Sequence, residues 1–321
     1  NTIRLAHYQH SQYFYDLCDE YGMVVWAEIP FISVFVDTPA ARENTLSQMK
    51  ELVLQNYNHA SIVCWGIENE ISIGGESEAL YDNLRALHNL CHELDPTRLT
   101  TLANMTMVEM DSPFNFITDI LSYNHYFGWY IGEVEENGPW LDEFHKLNPT
   151  RAIGISEYGC EGILMYHNDN PQRQDYSEEY QAYYHEEMLK TFETRPYLWS
   201  THVWNMFDFG SDMRDEGGVK GRNNKGLVTY DRKIKKDSFY IYKAWWSNDP
   251  FVHLCSSRYV DRTEKIVKIK AYSNQKAVTL YVNGKEFGTL EGDKIFVFEG
   301  VELNKGENTI EAKSGNLTDK M

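Results

Sequence analysis

The sequence predicts an α/β chain: a (β/α)8 TIM barrel lacking its first strand, followed by a small all-β, immunoglobulin-like sandwich. Three observations predict it. Short apolar runs alternate with helical patterns between residues 2 and 246. Those runs repeatedly end on polar or aromatic residues, namely His7, Glu28, Glu70, Asn124, Glu157 and Trp204. After Asn248-Asp249-Pro250 the pattern changes to brief alternating strands with tight turns. The implied domains are an N-terminally incomplete barrel, 1–248, and a sandwich, 249–321.

Thr2 to Tyr8 reads as a strand with a polar tip, His7-Tyr8. Ser11 to Tyr21 carries Tyr13, Phe14, Leu17 and Tyr21 at helical spacing, with Gly22 as the stop. Met23 to Ala27 is a buried strand ending at Glu28. Ala40 to Asn56 is an amphipathic helix with Leu46, Met49, Leu52 and Val53 on one face. Ile62 to Ile67 is the longest apolar strand and stops at Glu68, Asn69 and Glu70. Ser77 to Leu94 is a second long helix, ended by Asp95-Pro96. Strands follow at 99–102, ahead of Asn124 and at 152–155, then a helix at 178–193 and a strand ending at Val203.

That makes seven strands, beginning near residues 3, 23, 62, 99, 119, 152 and 199. A full barrel has eight, so the first is expected upstream, in a segment of the same protein outside this sequence. No GxGxxG or GxxxxGK loop follows any strand, which argues against a nucleotide-binding doubly wound sheet. Residues 211–236 read as a polar, glycine-rich loop, and Asp237 to Trp246 as a last helix or turn. In the terminal segment Asn283-Gly284 is a strong hairpin signal.

Composition narrows the chemistry. A net charge of −18 argues against nucleic acid and anionic membranes as partners. No run of 18 apolar residues exists, so no membrane helix is expected. Five scattered cysteines without a CxxC read as buried thiols. Eight Trp and 22 Tyr suit a core, and equally a site that stacks sugar rings.

Two carboxylates stand out. Glu70 and Glu157 each follow a buried strand, and a barrel would bring both to one rim. Such a pair, with many aromatics nearby, suits acid/base and nucleophilic attack on a glycosidic bond. The plain alternative for Glu70 is a solvated loop charge.

These residues lie in segments that resemble the catalytic barrel of glycoside hydrolase family 2, the β-galactosidases and β-glucuronidases. The segments are NTIRLAHY, FYDLCDEYGMVVWAEIP, NHASIVCWGIENE, SYNHYFGWY, IGISEYG, HVWNMFDF and NNKGLVTYDRK, in family order. The resemblance implies that Glu70 is the general acid/base, Glu157 the nucleophile, and that configuration is retained. It implies that Asn69 binds the sugar 2-hydroxyl, that Tyr126 orients Glu157, and that His7, Asn124, Tyr130 and Trp204 line the site. Glu28 is expected as a partner behind the site, and Glu68 is left as structural. Ile32 and Val34 stand where metal-dependent members place magnesium ligands, so no catalytic metal and no cofactor are expected. The family places one or two sandwich domains and the first barrel strand ahead of this region. The expected partners are thus a carbohydrate substrate and those missing N-terminal sandwich domains, with a homo-oligomer left open.

For the substrate, Asn223-Asn224-Lys225 matches the Asn-x-Lys element by which β-glucuronidases hold the sugar carboxylate. The surrounding loop and the terminal sandwich resemble a β-galactosidase subgroup at least as well. The expectation is therefore a β-galactosidase first, a β-glucuronidase using Asn223 and Lys225 second, and a non-catalytic carbohydrate-binding fragment third.

Overall fold

The computed structural model describes residues 1–321, which divide into two compact units. The first unit comprises residues 1–127, 135–158 and 191–203. It holds one parallel sheet of seven strands in the order β1 to β7. These are β1 (Thr2–Leu5), β2 (Val24–Glu28), β3 (Ile62–Asn69), β4 (Leu99–Met105), β5 (Leu121–Asn124), β6 (Ile153–Tyr158) and β7 (Leu198–Val203). Helices α1 (Gln12–Tyr21), α2 (Pro39–Asn56), α3 (Glu78–Leu94) and α4 (Asn137–Leu147) lie between them in sequence. β1 and β7 approach each other without backbone pairing. Thr2 Oγ1 and His202 Nε2 bridge them at 2.9 Å. The unit is thus a nearly closed, barrel-like sheet.

Local chemistry explains the element ends. Thr38 and Ser77 cap α2 and α3 by accepting from the N–H of Ala41 and Leu80. Gly22 ends α1 with φ 66°, where a side chain would be strained. The inner face of α1 differs from expectation. Tyr15 and Cys18 are buried while Tyr13 and Tyr21 are exposed, because the tyrosines at the edges of the stripe turn outward. On α2, Met49, Leu52 and Val53 are buried as the periodicity predicts.

Several strands run further than their apolar runs. β6 continues through Ser156, Glu157 and Tyr158, so Glu157 lies inside a strand rather than in a following loop. β4 likewise continues to Met105. Polar residues that face one another inside a barrel rim keep strand geometry, and an apolar run alone does not mark their end.

The second unit comprises residues 128–134, 159–190 and 204–321. It includes most of α5 (Glu178–Glu193), a two-stranded ribbon of β8 (Phe209–Gly210) with β9 (Arg222–Asn223), and α6 (Asp237–Trp246). From Val252 onward seven antiparallel strands form two sheets. One sheet is β10 (Val252–Leu254), β11 (Ile266–Ser273) and β14 (Lys294–Glu302). The other is β13 (Lys285–Glu291), β12 (Ala277–Val282), β15 (Ile310–Ser314) and β16 (Leu317–Lys320). Leu254, Ile269, Val278, Leu280, Phe296 and Ile310 form their common core. β16 differs from expectation, since LTDK carries no run of alternating apolar residues. All five cysteines are buried free thiols.

Candidate functional site

The site in the first unit is built around a residue that sequence reasoning passed over. Arg4 sits in the middle of β1, and its guanidinium is bonded on every side. It donates to Glu28 Oε2 at 2.9 Å and Oε1 at 3.0 Å, to Glu157 Oε1 at 2.8 Å and to Asn69 Oδ1 at 2.8 Å. Longer bonds reach Asn124 Oδ1 and the Ser156 carbonyl, both at 3.3 Å. Its plane lies over the Trp26 ring, 4.8 Å from the centroid. A charged residue in the interior of a barrel strand was the available signal, because burial there demands a partner.

The sequence makes room for this network at one glycine. A Cβ on Gly66, in β3, would lie 2.2 Å from Trp26 Nε1 and 2.6 Å from Glu28 Cβ. Only the bare backbone lets both side chains of β2 reach the interior.

Around Arg4 the expected residues converge. Tyr126 donates its hydroxyl to Glu157 Oε2 at 2.7 Å, so both oxygens of that carboxylate are held. His7 Nδ1 lies 2.8 Å from Glu28 Oε1, and its Nε2 lies 3.7 Å from Glu157 Oε1. Asn124 Nδ2 donates to Asn69 Oδ1 at 2.9 Å and to Glu70 Oε1 at 3.1 Å. Asn69 Oδ1 therefore accepts from both Arg4 and Asn124, which turns its amide nitrogen away from them. Glu28, expected behind the site, is fully buried there and pairs with Arg4 and His7.

The electrostatics separate the carboxylates. Burial alone would push Glu28 up, but the Arg4 charge and the His7 bond outweigh it and hold Glu28 below its ordinary value. Burial likewise works against the Arg4 charge, and Glu28 and Glu157 more than offset that. Glu70 is raised, first by burial and then by the negative charge of Glu157, with the Asn124 bond acting in the opposite direction. Glu70 thus retains its proton more readily than a free glutamate.

In the second unit lie the remaining predicted residues. Lys225 is buried, and its Nζ donates to Tyr130 Oη at 2.7 Å and lies 3.5 Å from Glu161 Oε1. It stacks over the Tyr130 ring at 4.8 Å. Asn223 Oδ1 accepts from the Lys225 backbone N–H at 3.0 Å, a local turn that fixes the loop. Arg214 reaches the same cluster, bonding Glu161 and Glu216. Glu161 and Arg214 carried no sequence signal, since both read as loop charges. Trp204 packs edge-on against Phe209 with centroids 5.7 Å apart.

Comparisons with known proteins identify the family. The family described as glycosyl hydrolases family 2, TIM barrel domain, matches residues 1–249. A β-glucuronidase of Bacteroides fragilis is 41% identical over 326 residues, spanning 97% of this chain and 46% of the relative. The crystal structure of an FMN-binding β-glucuronidase from Facaelibacterium prausnitzii superposes with a TM-score of 0.98 at 58% identity, over 100% of this chain and 50% of that one. That of a putative β-galactosidase from Bacteroides fragilis gives 0.93 at 37% identity, over 100% of this chain and 49% of that one. The chain thus spans about half the length of the curated relatives it matches. With the family's barrel matched along residues 1–249 and one relative 58% identical over the whole of this chain, this chain belongs to glycosyl hydrolase family 2.

Proposed function

We propose that this chain carries the catalytic centre of a retaining exo-β-glycosidase, with a terminal β-glucuronide as substrate. One observation carries the chemistry: Glu70 and Glu157 are tied into one hydrogen-bonded network by Asn124 and Arg4. Glu157 is the nucleophile. Tyr126 and Arg4 each hold one of its oxygens, and it attacks the anomeric carbon to form a glycosyl-enzyme. Glu70, raised by burial, protonates the leaving oxygen and then activates water as a base. The Asn69 amide nitrogen donates to the sugar 2-hydroxyl, a bond that strengthens as the oxocarbenium-like state develops. His7 lines the same site, and Trp204 offers a ring for sugar stacking. Two carboxylates suffice for this reaction.

The order of the two expected substrates is reversed. Relatives at 41% and 58% identity are described as β-glucuronidases, against one structure at 37% described as a putative β-galactosidase. Lys225, with Tyr130 and Asn223, supplies a buried cation suited to a sugar carboxylate. We further propose that one more strand from elsewhere in the intact protein pairs with the unpaired facing edges of β1 and β7, which must then part and give up the Thr2–His202 bridge. The chain would then divide into a catalytic domain at 1–248 and an immunoglobulin-like sandwich at 249–321.

The test is hydrolysis of nitrophenyl β-glucuronide and β-galactoside by the intact protein. Glucuronide turnover that falls about 10- to 100-fold in Lys225→Ala, the loss of one charge-assisted bond, is the expected result. Galactoside turnover indifferent to Lys225→Ala, without glucuronide turnover, would restore the β-galactosidase reading. Sugar binding without cleavage of either would leave a carbohydrate-binding role. Loss of activity in Glu157→Gln, with rescue by azide, identifies the nucleophile.

A further inference from the structure

We propose that Glu68 is a positioning residue whose buried carboxylate clamps the turn that aims Glu70; this rests on Glu70 being the acid/base. Glu68 has no exposure and lies two residues before Glu70 in β3. The β3–β4 ladder is irregular just there. Gly66 pairs with Thr101 and Asn69 with Ala103, so β3 carries one residue more than β4 across the gap. Such a bulge re-aims the side chains that follow it.

Glu68 fills that irregularity from within. Its Oε1 accepts from the Ala103 N–H at 2.8 Å, and its Oε2 accepts from the Ile71 N–H at 3.0 Å. Glu70 lies between these anchors. Its own N–H donates to the Ala103 carbonyl at 2.9 Å, and its carbonyl accepts from Ile73 at 3.0 Å. Its backbone is left-handed, φ 49° and ψ 29°, a conformation unfavourable for a residue with a side chain. One carboxylate thus bridges the peptide after Glu70 to the neighbouring strand and holds the strained turn in place. Burial pushes Glu68 up to about 8, against the pull of its two N–H bonds and of Arg4. A carboxyl kept at such a cost, with no role in the reaction itself, is explained by what it holds.

The experiment compares leaving groups in the intact protein. A general acid matters for a phenyl glycoside, whose phenoxide leaves poorly, and little for a 2,4-dinitrophenyl glycoside, whose anion leaves unaided. In Glu68→Ala, kcat/KM for the phenyl substrate should fall about 10- to 100-fold, the scale of a misplaced catalytic group. The dinitrophenyl value should fall several-fold less, and azide should accelerate turnover of the activated substrate. Glu68→Gln keeps one acceptor oxygen and the side-chain volume, and should fall between wild type and Ala. Equal falls on both substrates, or no fall on either, overturn the inference while the wild type still cleaves both. A wild type that cleaves neither glycoside overturns the proposed function, and this inference with it.

Discussion

Replacing Arg4 by Met tests the electrostatic core of the site. The substitution keeps an unbranched apolar stem and removes the guanidinium. The six bonds described above vanish, two of them to Glu28, which is fully buried and has only His7 as a further side-chain partner. Removing one member of a buried pair costs about 3–5 kcal/mol, because the other charge is left without compensation. The pH dependence has a definite sign. In the wild type Glu28 is held below its ordinary value of 4.5, so its contribution is full above that value and is lost as pH falls through the lower folded one. Without Arg4, burial dominates and Glu28 titrates above 4.5 in the folded state. Stability is then lost as pH rises from 4.5 towards the new folded value. Urea unfolding at pH 5.5 and pH 8 should show little change for the wild type from this group, and a variant deficit that grows with pH. A deficit below about 1 kcal/mol, or one that shrinks between pH 5.5 and pH 8, would refute the reasoning.

Three further outcomes are expected. Gly66→Ala places a methyl 2.2 Å from Trp26 Nε1, and overpacking of this kind costs about 1–3 kcal/mol; a lowered denaturant midpoint with reduced kcat checks it, and an unshifted midpoint contradicts it. In Glu157→Gln the charge that helps raise Glu70 is gone, so a carbon-13 titration of Glu70 should show a lower pKa that burial still keeps above 4.5. Lys236→Met removes a fully buried ammonium that bonds Asp208 at 2.8 Å and the carbonyls of Gly162 and Asn224 at 2.7 and 2.9 Å. It should cost about 3–5 kcal/mol and speed proteolysis within residues 211–236, and an unchanged cleavage rate would count against it.

Much of the fold was legible because its strands are apolar and its helices periodic. The run Ile62–Ile67 and the stripe Leu46, Met49, Leu52, Val53 each announce one element, and both elements form there, although Val63 is exposed and Leu46 only half-buried. The rim residues were legible as polar stops after those runs, which placed Glu70, Asn69 and Asn124 together. What escaped depends on partners distant in sequence. Arg4 in TIRLAHY reads as an ordinary charge until Glu28 and Glu157 close around it. Glu68 reads as structural because its work is done on the backbone of Ile71 and Ala103. Glu161 gives no sign of itself before Lys225 and Arg214 fold onto it. The proposed preference for a glucuronide draws on Lys225, whose Tyr130 and Glu161 neighbours lie far from it in sequence and leave no local sign.

Arg4 serves two masters, and that division has a chemical consequence. A guanidinium devoted to Glu157 alone would quench the carboxylate it orients, since a fully matched anion is a poor electron-pair donor. Glu28 draws off part of that attraction from the opposite edge. Under the proposed mechanism, the Glu157 oxygen would thereby be kept in line without being spent, and the Arg4–Glu28 pairing would set how eagerly it reacts.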